Sequence, residues 1–402
     1  MNFGGGNHSG NSSRGGGGGR GRGRGGSNAN YNNNNNNNSG GRGGRGRRGN
    51  SRGGGRGTSG RGRGTRIKFA DSIATFDVSV DAHVMPGKPG IQALTLWAEN
   101  NILFSGGADG ITKMFDINSG TCNESPDGKE VSSLCFELGW LFVGYLDQPQ
   151  PGQDVGFVKG YNLMASPVEI FNFELNAQFP AAHQGRVTSI CVAGEFVFTA
   201  SEDKTVRAWK LDQKWNLVGS LGNQFAHDTP VRKVAAWNNK IFTGAFNGEI
   251  KIWSVQGAQE SVFQAHSEMV TDICGWTGPN QNVLLTCSAD KTIKVWDLAA
   301  NQGLIAPNSQ PVFTYPPPDS PLRPKALTCM KTHQLGSGVS ILICGFLDGS
   351  AQVLDLPDFT DLGFLNGHDR NSTVTSLQVV PQQNLLFLGS LSGKLSCYKF
   401  VS

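Results

Sequence analysis

The feature that most constrains the fold is a repeat that runs from about residue 73 to the end of the chain. Each unit holds an apolar strand, a second strand, a tight polar turn and a third strand that usually carries an aromatic residue. Seven units occupy residues 67–402, an average of 48 residues each. Because one unit cannot bury its apolar face alone, successive units stack on their neighbours. The pattern predicts an all-β fold in which seven four-stranded blades close into a propeller.

Two units are the most complete, and both carry a His before the first strand, a Thr on the second, an Asp in the next turn and a Trp on the third. A His, a hydroxyl residue and an Asp are the residue types of a catalytic triad. Recurrence at equivalent positions indicates a structural role instead, and phosphate-loop, zinc-protease and nucleophile-elbow motifs are lacking. We therefore predict a protein that is not an enzyme. The two sets are His183, Thr199, Asp203 and Trp209, and His266, Thr286, Asp290 and Trp296.

These motifs resemble the WD40 family, and the resemblance covers the chain from about residue 73 onward. It implies hydrogen bonds among the four residues of each complete set. Several further stretches resemble the subfamily that joins a CCCH zinc finger to a WD40 propeller. No Cys precedes Cys122, so the finger is absent from this chain and cannot supply RNA contacts. The stretches are Glu130–Cys135, Gly139–Gly144, Cys344–Gly349, Val353–Asp358 and Leu385–Phe400.

An N-terminal arm, residues 1–66, has a different composition, with 13 arginines, 26 of the 56 glycines and no Asp or Glu. It has almost no apolar side chains to offset the entropy of ordering, so we expect disorder. Its Arg-Gly steps resemble RGG segments, and arginine can bind phosphates and stack on bases. We predict contact with single-stranded RNA; the alternative is a protein-only adaptor whose arm serves solubility or self-association. The candidate RNA contacts are Arg14, Arg20, Arg22, Arg24, Arg42, Arg45, Arg47, Arg48, Arg52, Arg56, Arg61 and Arg63.

The charge of the chain is divided between this arm and the repeats. The net charge is +4, but residues 67–402 contain 22 basic and 31 acidic residues, a formal charge of −9. This asymmetry assigns nucleic-acid binding to the arm. A basic residue two positions before the aromatic position recurs in five units, either as an RNA-facing ring or, as we favour, in packing. These residues are Lys113, Lys159, Arg207, Lys251 and Lys294.

Connections rich in proline identify a candidate surface for protein partners. Three of them, Met85–Gly90, Asp147–Gly156 and Tyr315–Lys325, are expected as loops on one face of the ring. Proline lowers the entropy that a loop loses on binding. We therefore predict that protein partners bind this face. The candidate residues are Pro149, Pro151, Pro316, Pro317 and Pro318.

The ends of the chain are predicted to close the ring. The last unit stops at its third strand, and the alternating segment at residues 73–80 can supply the missing fourth one. The remaining predictions are negative. The eight dispersed cysteines indicate buried free thiols in a reducing compartment, with no metal site and no cofactor. No signal region or membrane span is recognised, so we expect an intracellular protein that does not bind a membrane.

Overall fold

The computed structural model describes residue 83 and residues 90–150, 153–175, 179, 181–210, 215–279, 281–298, 303–318, 325–335, 338–365 and 372–400. These residues form seven antiparallel sheets, each built from strands that are consecutive in the chain. The predicted all-β fold with seven blades is confirmed. The predicted arm at residues 1–66 and the closing strand at residues 73–80 lie outside the described residues.

The first four blades each contain four strands, which run outward from the centre of the ring in chain order. Blade 1 comprises β1 (Ile91–Trp97), β2 (Ile102–Gly107), β3 (Ile111–Asp116) and β4 (Cys122–Pro126), and blade 2 comprises β5 (Glu130–Glu137), β6 (Trp140–Gln150), β7 (Gln153–Asn162) and β8 (Glu169–Asn172). Blade 3 comprises β9 (Val187–Ala193), β10 (Phe196–Ser201), β11 (Val206–Lys210) and β12 (Leu217–Ser220), and blade 4 comprises β13 (Val231–Trp237), β14 (Lys240–Ala245), β15 (Glu249–Ser254) and β16 (Gln259–Gln264).

Blades 5 and 6 repeat this order, whereas the described part of blade 7 has three strands. Blade 5 comprises β17 (Val270–Gly278), β18 (Gln281–Ser288), β19 (Ile293–Asp297) and β20 (Phe313–Tyr315), and blade 6 comprises β21 (Leu327–Gln334), β22 (Ser340–Phe346), β23 (Ala351–Leu356) and β24 (Asp361–Leu365). Blade 7 comprises β25 (Val374–Val380), β26 (Leu385–Ser390) and β27 (Leu395–Lys399).

The innermost strands form a closed ring, because each contacts the innermost strand of the next blade and β25 of blade 7 contacts β1 of blade 1. Side-chain hydroxyls bridge several of these contacts. In each case the second residue of one inner strand, or the third in β5, donates to the backbone carbonyl of the first residue of the next inner strand. The donor-acceptor distances are 2.7 Å for Ser132 to Val187, 2.7 Å for Thr188 to Val231, 2.5 Å for Thr328 to Val374 and 2.6 Å for Thr375 to Ile91.

Close packing between blades depends on small residues near the end of the second strand. A Cβ atom added to Gly244 would lie 2.7 Å from Cγ1 of Val270, the first residue of the next inner strand. Gly389 meets Ile91 of blade 1 at the same 2.7 Å. The β-branched residue fills the space left by glycine, so blade packing requires both members of the pair.

The two faces of the ring carry different connections. We call upper face the side with the turns between second and third strands. These turns are joined to the segments that lead into the inner strands: the amide of Phe246 donates to Pro230 at 3.0 Å, and that of Leu347 donates to Ala326 at 2.9 Å. Both kinds of connection therefore lie on the upper face. The remaining turns lie on the opposite, lower face.

Candidate interaction face

The two predicted four-residue sets each form a continuous chain of hydrogen bonds. In blade 3, Trp209 Nε1 donates to Thr199 Oγ1 at 2.9 Å, and the Thr199 hydroxyl lies 2.7 Å from His183 Nε2. His183 Nδ1 lies 3.0 Å from the Asp203 carboxylate. Blade 5 repeats the chain with Trp296 to Thr286 at 3.0 Å, Thr286 to His266 at 2.8 Å and His266 to Asp290 at 2.9 Å.

The protonation of these sets follows from their burial. Burial lowers the pKa of His183, although the hydrogen bond to Asp203 opposes this shift. Burial alone would raise the pKa of Asp203, but hydrogen bonds from His183 and Thr205 lower it below its usual range. His183 is 0% exposed, so its ring is closed to a substrate. The hydrogen bonds of His183 therefore link the segment before β9 to the turn between β10 and β11.

Blade 4 contains a variant of the set that the sequence template misses. His227 Nε2 lies 2.7 Å from Thr243 Oγ1, and Trp253 Nε1 donates to the same hydroxyl at 2.9 Å. The acid is Glu249, 2.7 Å from His227 Nδ1, because Asn247 occupies the usual Asp position in the turn. In the sequence, this variant can be recognised because the acidic residue stands two positions after the usual Asp position.

In blade 2, an aspartate, a tyrosine and a lysine take the place of the four-residue set. Asp127 takes the place of the histidine and accepts hydrogen bonds from the Tyr161 hydroxyl and from Lys159 Nζ, the latter at 3.4 Å. Burial raises the pKa of Tyr161, and its hydrogen bond to Asp127 adds to the shift. In blade 6, Lys325 occupies the corresponding segment and forms an ion pair with Asp348 at 2.8 Å. These substitutions explain why both units depart from the template.

Four of the five recurrent basic residues donate to the backbone carbonyl in the segment before an inner strand. Lys251 Nζ lies 2.9 Å from the carbonyl of Ala226, next to His227, and Lys294 Nζ lies 2.6 Å from that of Ala265. Arg207 and Lys159 make the same contact with Ala182 and Asp127. Lys113 instead pairs with Glu124 at 2.6 Å. These contacts support packing rather than an RNA-facing ring.

Comparison with known families gives a name to the repeat. The family described as "WD domain, G-beta repeat" matches residues 174–210 and 257–297, which contain the complete sets of blades 3 and 5. The chain contains WD40 repeats within a seven-bladed propeller. The remaining blades share the strand order with these two. Blade 1 also keeps the histidine–aspartate link, with His83 Nδ1 2.7 Å from Asp109, whereas blades 2, 4 and 6 use other residues there.

Relatives of this WD40 propeller include proteins whose names refer to RNA or to zinc fingers. "Zinc finger CCCH domain-containing protein 17" of Oryza sativa subsp. japonica is 26% identical over 77% of this chain and 63% of the relative. "mRNA export factor" of Macaca fascicularis is 35% identical over 19% of this chain and 21% of the relative. The chain thus spans less than two thirds of the length of these relatives.

A solved structure supports the propeller fold independently of the repeat motif. The designed protein Ika8 superposes on 77% of this chain and 83% of its own chain with a TM-score of 0.54 and 21% sequence identity. At this identity the similarity concerns the fold alone.

The upper face of the WD40 propeller carries exposed apolar side chains on blades 4, 6 and 7. Phe246, Leu347 and Leu391 follow the second strand of their blades and are 38%, 59% and 40% exposed. The amide of each donates to the segment before an inner strand at 2.9–3.0 Å, so all three lie around the centre of the ring. Ala289 of blade 5 has the equivalent contact. We call these four residues the apolar arc.

The upper face of blades 2 and 3 is covered by ion pairs instead. Arg186 binds both carboxylate oxygens of Glu130 and lies 3.8 Å from Glu202. Lys129 pairs with Asp154 at 3.1 Å. Apolar partners and polar partners would therefore meet different halves of this face.

The prediction that Asp147–Gly156 is a loop is wrong. These residues extend the hairpin of β6 and β7, with Asp147 opposite Val155 and Gln150 opposite Gln153. Two backbone hydrogen bonds between Gly156 and His183, at 2.8 and 3.0 Å, fix the base of the hairpin to blade 3. Pro149 lies in β6, and Pro151 lies outside the described residues.

The structure describes some of the other predicted site residues, and the rest lie outside the described ranges. Pro316, Pro317 and Pro318 follow β20 on the upper face between blades 5 and 6, and the last two are exposed. The twelve arm arginines, Arg14 to Arg63, lie outside the described residues. The structure thus brings Pro316–Pro318 to the half of the face that carries the apolar arc, and the extended hairpin to the ion-paired half.

All eight cysteines are free thiols, and seven of them are buried or partly buried. Cys122 is exposed, contrary to the expectation of burial. Burial raises the pKa of Cys135 and Cys274 to about 12, which keeps both protonated at neutral pH. Within the described ranges, no group of three or more His, Cys, Asp or Glu side chains is suited to a metal ion. No helix in the described residues is long and apolar enough to span a membrane.

Proposed function

We propose that this chain is an intracellular, non-catalytic scaffold whose arm contacts single-stranded RNA and whose WD40 propeller binds proteins on its upper face. The observation that carries the protein-binding half is the apolar arc. Three large side chains at equivalent turns remain exposed around one opening of the ring, whereas other exposed apolar residues such as Ile170 and Val218 lie on outer strands. Apolar side chains clustered on one surface mark an interaction site more often than scattered ones do.

Pro316, Pro317 and Pro318 extend this surface next to blade 6. Tyr315 is buried before them, and Lys325 after them pairs with Asp348, so both described ends of this connection are held. A connection held in this way loses little entropy when a partner binds. We therefore place the partner across the apolar arc and this connection, rather than on the extended hairpin of blade 2.

The test compares partner recovery for exposed-residue variants of the full chain. Leu347→Ser and Phe246→Ser should each lower recovery of cross-linked partner proteins at least about fivefold, because central apolar contacts carry most binding energy. Pro317→Ser with Pro318→Ser should also lower it, without the strain that deletion would place on Tyr315. Val218→Ser, an equally exposed position on the outer strand β12, is the matched control.

The melting temperature of each variant should stay within about 2 °C of that of the unmodified chain, since exposed substitutions change stability little. Recovery that is equal for the arc variants and for Val218→Ser would exclude the upper face as the docking surface.

RNA contact through the arm is supported by the charge division and by the names of relatives such as the mRNA export factor. The second candidate function is a protein-only adaptor whose arm serves solubility or self-association. Measured affinity for single-stranded RNA distinguishes the two, because only the first requires it.

A further inference from the structure

A cavity at the centre of the ring concentrates positive charge in an otherwise acidic propeller. Its volume is about 560 Å³, and the inner strands of all seven blades line it. Residues 67–402 carry a formal charge of −9. The charged residues that line the cavity nevertheless include four cations and two acids. They are Arg186, Arg232, Lys233, Lys331, Glu137 and Asp272.

Two of the four cations are neutralised by carboxylates. Arg186 binds Glu130, and Lys233 lies 3.0 Å from Asp272. Asp272 is fully engaged, because its second oxygen accepts the amide of Met330 at 2.9 Å. Among the described residues, Arg232 and Lys331 form no ion pair.

Lys331 lies in an electrostatically unfavourable environment. Its side chain is accessible within the cavity, but the protein surrounds it, and this burial together with the nearby Lys233 lowers its pKa. It lies four residues after Leu327 of β21, and the equivalent positions, four residues after Val131 of β5 and Val270 of β17, are Cys135 and Cys274. Their protonated thiols supply no counter-charge. A partly desolvated cation without a partner is destabilising unless an anion compensates it.

The two unpaired cations lie at different depths. Arg232 is the second residue of β13, close to the upper opening, and Lys331 is the fifth residue of its strand. Three residues of β-strand span about 10 Å. A ligand that meets both must carry more than one negative charge and extend into the cavity.

We infer that the central cavity binds a small molecule with several phosphate groups, held by Lys331 inside and by Arg232 at the upper opening. Phosphate suits the forked guanidinium of arginine and the compact charge of lysine. The volume of the cavity lies within the usual range for small-molecule sites. The arm cannot compensate this charge, because residues 1–66 contain no Asp or Glu.

Inorganic tripolyphosphate is the probe, and the full chain is the protein to test. Its melting temperature should rise by about 3 °C or more at saturating probe, because a ligand specific to the folded state stabilises it. Lys331→Gln should lose most of this shift and weaken the affinity in calorimetry at least about tenfold. Lys399→Gln, at an exposed lysine on β27, is the matched control and should keep the full shift.

A full-length variant distinguishes binding in the cavity from binding to the arm. Replacing all 13 arginines of residues 1–66 by glutamine should leave the shift in melting temperature unchanged. Arg232→Gln provides a second channel variant if Lys331→Gln folds poorly, and should also weaken binding. Without the probe, Lys331→Gln should melt at the same or a higher temperature than the unmodified chain. No shift in the unmodified chain, or equal shifts for Lys331→Gln, Arg232→Gln and Lys399→Gln, would overturn the inference.

Discussion

At the scale of single residues, the complete sets stabilise the ring through buried hydrogen bonds rather than through reactive groups. Thr199 serves as donor to His183 and as acceptor from Trp209, so one hydroxyl satisfies two buried nitrogen atoms. Trp209 is fully buried and gives the set its apolar anchor. A buried polar group that loses its partner costs more than the hydrogen bond contributed.

The substitution Thr199→Val tests this role because it keeps the shape of the side chain and removes the hydroxyl. It leaves two unsatisfied nitrogen atoms and should lower the free energy of unfolding by about 2 to 5 kcal/mol. Denaturant titration of the full chain measures the change. Thr277→Val, at an exposed position near the end of β17, should cost less than about 0.5 kcal/mol. Equal midpoints for the two variants would contradict the assigned role.

The same sets make stability depend on pH. Burial lowers the pKa of His183, His227 and His266 below 6.5, despite their acidic partners Asp203, Glu249 and Asp290, with Arg207, Lys251 and Lys294 nearby. Below pH 6.5 the unfolded chain therefore binds more protons than the folded chain. Stability is present above that pH and is lost as the pH falls, by at most about 1.4 kcal/mol per pH unit for each histidine.

The melting temperature should accordingly decrease between about pH 7 and about pH 5. His266→Gln should show a shallower decrease, because one titrating group is removed. A melting temperature that is constant or rises over this interval would be inconsistent with buried neutral histidines.

The sequence predicts some of these residues and misses others for a physical reason. His183 and Trp209 follow the repeat template and appear where the pattern requires. Glu249 and Asp127 do not. Glu249 reaches His227 from a different backbone position, and Asp127 replaces the histidine and accepts hydrogen bonds from Tyr161 and Lys159 instead. Lys331 escapes prediction because its exposure to the cavity depends on how seven strands close into a ring.

At the scale of elements, several blade interfaces join a glycine of one sheet to a β-branched residue of the next. Gly244 with Val270 and Gly389 with Ile91 are examples. The number and order of the strands could be predicted from their alternation and turns. The extended hairpin of β6 and β7 could not be predicted, because polar and proline residues near Asp147 are typical of a loop. Its strand pairing with Val155 and its hydrogen bonds to His183 depend on contacts with other segments of the folded chain.

The fourth strand of blade 7 is the element whose origin remains to be tested. Its described part ends at β27, whose Leu395 and Cys397 pack against Ile91 of blade 1. A fourth strand from residues 73–80 would protect the outer edge of β27 and join the two ends of the repeat region. Deleting residues 67–80 should therefore lower the melting temperature by more than deleting residues 1–66. Equal effects of the two deletions would contradict closure by this segment.

At the scale of the whole molecule, the proposal assigns RNA binding to a basic arm and protein binding to an acidic propeller. The fold, with its buried sets and closed ring, explains most of the recurrent motif residues in structural terms. Composition predicted the charge division but not the cation-lined cavity inside the acidic part. The proposed interaction surfaces are the arm, the upper face and that cavity, each with a different expected ligand.

A filter-binding titration with single-stranded RNA tests the central claim most directly. The full chain should bind with an affinity whose logarithm falls with the logarithm of salt concentration, with a slope of about −0.7 per phosphate contacted. Removing residues 1–66 should abolish this binding while leaving the melting temperature of the propeller nearly unchanged. Binding that persists without the arm, or that does not depend on salt, would contradict the proposed division.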